Sequence, residues 1–133
     1  SRIVKSQILG NVERTTDNRG QVAFSVFVDP PFSRVGMSEA EAVESGHKVK
    51  VGRLVVGTMP RAKLLGRTTG LMKAVVDADT GLVLGAQLFC SESQELINMI
   101  KIAMDAGLPY TVLRDGIYTH PTMSEGMNDL FAI

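Results

Sequence analysis

Apolar residues along the chain fall into two kinds of run. From Val22 to Val28 they are dense and mostly β-branched or aromatic (Val22, Phe24, Val26, Phe27, Val28), which predicts a strand that Pro30-Pro31 must end. Lys48 to Val56 reads the same way. Leu71 to Asp77 and Leu82 to Phe89 predict two more strands around Ala78-Asp79-Thr80-Gly81, a short glycine-ended connection that favours an antiparallel hairpin. Gly85 interrupts the last strand, where it admits a bulge or a close neighbour.

The other runs have helical spacing. Ser38-Glu39-Ala40-Glu41 is a capping box and Gly46 the matching stop, while Met59 to Gly66 reads as a helical turn or loop. A second box, Ser91-Glu92-Ser93-Gln94, opens a helix predicted to reach Gly107. Asn98, Lys101 and Asp105 form its one narrow polar stripe, so the helix must be covered on more than one side. Either another subunit or domain covers it, with Ile100 in the contact, or segments 57–70 and the C-terminus do. A short helix at Thr111 to Asp115 follows. A third box at Thr122-Met123-Ser124-Glu125 then leads into a helix with Met123, Met127, Leu130 and Phe131 on one face. At the other end Ile3, Val4, Ile8 and Leu9 suggest a short helix before the Asp17-Asn18-Arg19-Gly20 turn. We expect residues 1–20 to be the tail of a preceding domain or a linker, and 21–133 to form one domain.

Composition narrows the function. The 133 residues carry 14 Lys and Arg against 14 Asp and Glu, so no basic field exists to attract nucleic acid or a membrane surface. Cys90 is the one cysteine, which excludes an internal disulfide, a thiolate zinc site and a dithiol motif, and fits a reducing, cytoplasmic setting. No apolar run reaches the ~18 residues of a membrane span, and we expect no signal peptide before the domain. The chain opens on Ser1 inside a helical pattern, which suggests a piece of something longer.

His120 and Glu125 are the one constellation with acid/base logic. His120-Pro121 sits at the mouth of the last helix, and Glu125 on its first turn can reach back to the imidazole, favouring the imidazolium for proton exchange with a thiolate. On spacing alone a second reading stands: Thr122 caps the helix, Glu125 completes the box, and His120 is a loop residue. Cys90 reads as a buried structural thiol and His47 as a solvated residue at a helix end. Methionines 37, 59, 72, 99, 104, 123 and 127 invite a soft-metal reading but are spread over different elements, so no metal site is assigned. No G-x-G-x-x-G follows a strand, so no dinucleotide fold begins here.

Asp29-Pro30-Pro31-Phe32-Ser33-Arg34-Val35-Gly36-Met37-Ser38-Glu39 and His120-Pro121-Thr122-Met123-Ser124-Glu125 together resemble the C-terminal dimerisation domain of the pyridine nucleotide-disulfide oxidoreductases, the flavoprotein disulfide reductases. Between them Gly70-Leu71-Met72-Lys73, Leu84-Gly85-Ala86 and Glu95-Leu96-Ile97 look like that family's sheet and helix. The resemblance covers about residues 22–133. Met104-Asp105-Ala106-Gly107-Leu108-Pro109-Tyr110 and Asn128-Asp129-Leu130-Phe131 bring it nearest to the mercuric reductase-like, reactive chlorine resistance branch.

The resemblance implies an α+β sandwich, an antiparallel sheet covered by helices, and a homodimer joined to upstream FAD- and NAD(P)-binding domains. It further implies that His120 acts in trans at the partner's redox cysteines with Glu125 orienting it. The backbone of His120 and Pro121 would lie against the partner's flavin, the His-Pro bond usually being cis. It selects the acid/base reading of His120 over the loop reading. Both nucleotide domains and the cysteine pair are missing here, so the fragment alone is expected to be inactive and to hold neither FAD nor NAD(P)H. The extra C-terminal cysteine pair of mercuric reductase is missing as well, which disfavours mercury as substrate. A free-standing dimeric module without catalysis and a soft-metal binding domain are the alternatives.

Overall fold

The computed structural model describes residues 2–10 and 14–133; of the lead-in segment, Ser1 and residues 11–13 lie outside the described residues. In chain order the elements are α1 (Arg2–Ile8), β1 (Phe24–Val26), β2 (Phe32–Gly36), α2 (Glu39–Glu44), β3 (Val49–Val55), a 3-10 turn (Val56–Thr58), α3 (Pro60–Leu64), β4 (Leu71–Asp77), β5 (Val83–Phe89), α4 (Ser93–Asp105), α5 (Thr111–Arg114) and α6 (Gly126–Leu130). The strands form one antiparallel sheet in the order β1-β2-β5-β4-β3, giving the expected α+β architecture.

Register sorts the two faces. Ser33, Leu88, Met72 and Leu54 form one cross-strand row, and Val35, Ala86, Ala74 and Gly52 the next. Both rows are buried under α4 and α6, with Leu96, Ile97, Ile100, Ala103, Met127, Leu130 and Phe131 closing the core. Gly52 sets how closely α6 docks: a Cβ there would stand 1.9 Å from the Leu130 carbonyl oxygen, so only glycine lets the end of α6 lie on β3. On the opposite face Arg34, Gln87, Lys73 and Arg53 align, and α2 answers their charge through Glu41 to Arg34 and Glu39 to Arg53 and Lys73.

Several local expectations change. The first strand spans three residues, because the chain turns at Phe27 to Pro31 to bring β2 antiparallel beside β1. The Ser38 box forms in full. The Ser91 box does not: Glu92 takes a left-handed conformation (φ 63°), and Ser93 turns inward to donate to the Pro31 carbonyl at 2.8 Å. His47 is not simply solvated: its half-buried ring pairs through Nδ1 with Asp77 Oδ2 at 2.7 Å. Ile100 is wholly inside the domain core, whereas Ile102 is 66% exposed, so Ile100 is no contact residue for a partner. Among the described residues no helix is long and apolar enough to cross a membrane.

Candidate functional site

His120 lies on the irregular segment between α5 and α6, where the following proline disfavours helical backbone at His120 itself. Pro121 follows it, and the His120–Pro121 peptide is cis, as is Asp29–Pro30. The imidazole Nδ1 is 2.8 Å from Glu125 Oε1, and the Thr122 backbone N–H donates to Glu125 Oε2 at 2.8 Å. Both sequence readings of Glu125 are therefore realised in one side chain, one oxygen for the ring and the other for the turn. The capping box is only half made. Thr122 Oγ1 donates to the Thr119 carbonyl at 2.7 Å instead of accepting from residue 125, and α6 begins at Gly126.

The electrostatics follow from these bonds. The Thr122 N–H, and after it the His120 contact, hold the Glu125 carboxyl below the usual glutamate range. An ionised carboxylate only accepts, so Nδ1 carries the proton of a neutral His120 and Nε2 carries the lone pair. The imidazole is 69% exposed and the carboxylate 25%, so the base is presented outward from a sheltered anchor. Both line a cleft of about 170 Å³ with Met59, Pro60, Thr122 and Asn128. A larger hollow of about 420 Å³ beside Pro30 holds one exposed ion pair, Arg67 with Asp29 at 2.9 Å, and lies on other elements than His120.

Sequence reasoning missed the clamp on the His120 segment. Asn128 Nδ2 donates to the carbonyls of Arg114 (2.6 Å) and Gly116 (2.9 Å), and its position three residues after Glu125, on the same side of a helical turn, was the available signal. Cys90 is fully buried and its thiol is pushed up to about 12 by burial, first, and by Glu92, which makes it inert as expected. Met59, Met72, Met123 and Met127 are packed in the core, and among the described residues no three His, Cys, Asp or Glu side chains converge on a metal position.

The family description "pyridine nucleotide-disulphide oxidoreductase, dimerisation domain" matches residues 22–131. The probable pyridine nucleotide-disulfide oxidoreductase RclA of Escherichia coli is 52% identical over 132 residues, which are 99% of this chain and 30% of the relative. A mercuric reductase of Staphylococcus aureus is 34% identical over 125 residues, 94% of this chain and 23% of that protein. The solved structure of the HOCl-induced flavoprotein disulfide reductase RclA from Escherichia coli superposes with a TM-score of 0.93 at 52% identity, covering 99% of this chain and 30% of its own. The chain thus spans under a third of the relatives it matches. With the sheet order, the His-Pro-Thr turn and the match over nearly the whole chain in agreement, it belongs to the pyridine nucleotide-disulfide oxidoreductase family, as a dimerisation domain.

Proposed function

We propose that this domain pairs two subunits of a longer oxidoreductase using FAD and NAD(P)H, and that His120, oriented by Glu125, moves the proton of the thiol step at the partner's redox dithiol. In this reading residues 1–20 lead in from a preceding FAD-binding domain and 21–133 form the dimerisation unit. The observation that carries it is the 2.8 Å contact of His120 Nδ1 with a carboxylate that the Thr122 N–H already fixes, on a ring that is mostly exposed. Glu125 occupies Nδ1, so Nε2 is the nitrogen for exchange. It takes the proton of a thiol to leave a thiolate, and returns it to a thiolate when the disulfide is reduced.

The surface supports the pairing. Val26, Phe32, Phe89, Leu71 and Val55, one from each strand, make an apolar row across one end of the sheet, and Val26, Phe89, Leu71 and Val55 are 36% to 58% exposed. Ile102 on α4 and Ile117, three residues before His120 in the chain, are exposed as well. So much apolar surface on a small domain favours cover by other protein. When bound, FAD supplies two-electron transfer between NAD(P)H and the dithiol. This domain fits one wall of such a site, the exposed Ile117 and the His120–Pro121 turn, and has no glycine-rich phosphate loop of its own. The description of the Escherichia coli relative as a disulfide reductase supports a disulfide as substrate, and two of its solved structures are Cu(II) complexes, which supports a metal ion beside it.

In the longer reductase carrying this domain, His120→Ala is expected to leave flavin reduction by NAD(P)H fast and to slow disulfide turnover by ~100- to 10,000-fold, the usual loss for a general acid/base. Hydride transfer needs no imidazole, whereas protonating a thiolate does. Undiminished disulfide turnover in that variant would remove the relay and return the domain to a pairing role alone.

A further inference from the structure

We infer that Asn128 is a positioning residue for the His120–Glu125 pair: its carboxamide holds the loop that presents the imidazole in register with the helix that presents the carboxylate. The inference takes its catalytic meaning from the function proposed above, but its geometry stands without it. Residues 115–122 have no regular secondary structure, so their carbonyls need donors from elsewhere. Tyr118 Oη donates to the Leu113 carbonyl at 2.7 Å, tying the loop to α5, and Thr122 Oγ1 closes the loop on itself at Thr119. Neither bond reaches α6. Asn128 does, and with both of its protons: one to Arg114 O at 2.6 Å and one to Gly116 O at 2.9 Å. Two carbonyl partners fix the amide orientation, since only the nitrogen can donate.

The consequence is a fixed span. Glu125 stands immediately before α6 and Asn128 on its first turn, so the helix end grips the loop at two places, Gly116 and His120, four residues apart. If the first grip is released the loop can slide, and a hydrogen bond of 2.8 Å does not survive a slide of 1 Å. An aspartate at 128 has the same size but sets a carboxylate oxygen against two carbonyl oxygens. A serine keeps one donor and shortens the reach.

The test uses side-chain nitrogen NMR of this chain, whose two histidines give an internal reference. Above the histidine titration, wild-type His120 is expected to be held as the Nδ1–H tautomer, and so is His47, whose Nδ1 faces Asp77. In Asn128→Asp and Asn128→Ser, His120 should shift to mainly the Nε2–H tautomer of free histidine while His47 stays unchanged. The Glu125 carboxyl should also titrate closer to an ordinary glutamate. Variants that melt earlier yet keep the wild-type His120 tautomer would overturn the proposal, because that is what a purely structural clamp predicts. Loss of both histidine signatures together, or failure of both variants to fold, would overturn it for the same reason. Full disulfide turnover by a His120→Ala reductase would sink the relay and leave this result standing.

Discussion

The carbonyl oxygen of Met37 stands 2.0 Å from where a Cβ on Gly85 would be, and the Met37 nitrogen 2.5 Å. Gly85 is on β5, between β2 and β4, and Met37 is pinned there by its own N–H to Leu84 O at 2.9 Å. The register shifts beside it, where Val75 faces Gly85 and Val76 faces Val83, so the glycine meets both a bulge and a close backbone. No side chain is there to swing aside. Gly85→Ala is therefore expected to cost about 3 kcal/mol, read as a lower urea midpoint at unchanged slope. A loss under about 0.5 kcal/mol would mean that the connection into α2 shifts freely, against the packing described.

Two isoleucines on α4 separate folding from pairing. Ile100 has no exposed surface, so Ile100→Asp buries an unpaired charge in the domain's own core and should abolish folding rather than dissociate a dimer. Ile102 is 66% exposed, and Ile102→Asp should keep the melting temperature within about 2 °C while weakening self-association at least about tenfold in sedimentation equilibrium. A folded but dissociated Ile100→Asp would contradict the packing, and an unaffected Ile102→Asp would take α4 out of the interface.

What was legible in the sequence is what one segment decides for itself. The Ser38–Glu41 box, the stripe Met123, Met127, Leu130 and Phe131, and the hairpin of β4 and β5 each follow from spacing within a few residues. Apart from the half-made Thr122 box, whose hydroxyl turns to Thr119 nearby, the misses depend on distant partners. The Ser91 box gives way where Ser93 reaches the Pro31 carbonyl, 62 residues away, and His47 pairs with Asp77, 30 residues away. Helical spacing shows that α4 is apolar nearly all round, but it cannot rank Ile100 against Ile102, since that depends on which side meets the sheet. At the site, the pair of His120 and Glu125 is local and was legible, whereas the clamp from Asn128 back to Arg114 and Gly116 crosses two elements.

Asp77 links stability to acid. Its Oδ2 faces His47, and its Oδ1 accepts the N–H groups of Asp79 at 2.8 Å and Thr80 at 3.0 Å. The His47 bond first, then the two backbone bonds, hold its carboxyl below the usual aspartate range. A lowered folded value means that the stabilisation is complete above the unfolded value near ~3.9 and is lost as pH falls through the lower folded one. Melting temperature should therefore drop below about pH 4, and Asp77→Asn should be less stable at neutral pH with a shallower drop. Glu39, Glu41, Asp105, Asp115 and Glu125 are lowered too, so the variant flattens only part of the curve. Parallel profiles for the two proteins would show that Asp77 carries none of the dependence.

Glu125 divides its work between two donors, and substitutions can pull the halves apart. The carboxylate gives Oε1 to the imidazole and Oε2 to the Thr122 N–H, whereas a glutamine has one acceptor and must abandon one of them. The Thr122 N–H is a fixed backbone donor in a part-buried turn, while the His120 ring is mostly exposed and finds water readily, so the glutamine oxygen should stay with Thr122. Glu125→Gln is thus expected to keep nearly wild-type stability and lower disulfide turnover of the longer reductase by about tenfold, the worth of one charge-assisted hydrogen bond and less than the loss in His120→Ala. Glu125→Ala removes both halves, and should add a lower melting temperature from the orphaned turn to the same kinetic defect. A Glu125→Gln reductase as slow as His120→Ala would mean that the carboxylate itself touches the reacting thiol. One as fast as wild type would leave Glu125 as the anchor of a turn, with His120 needing no help to find its orientation.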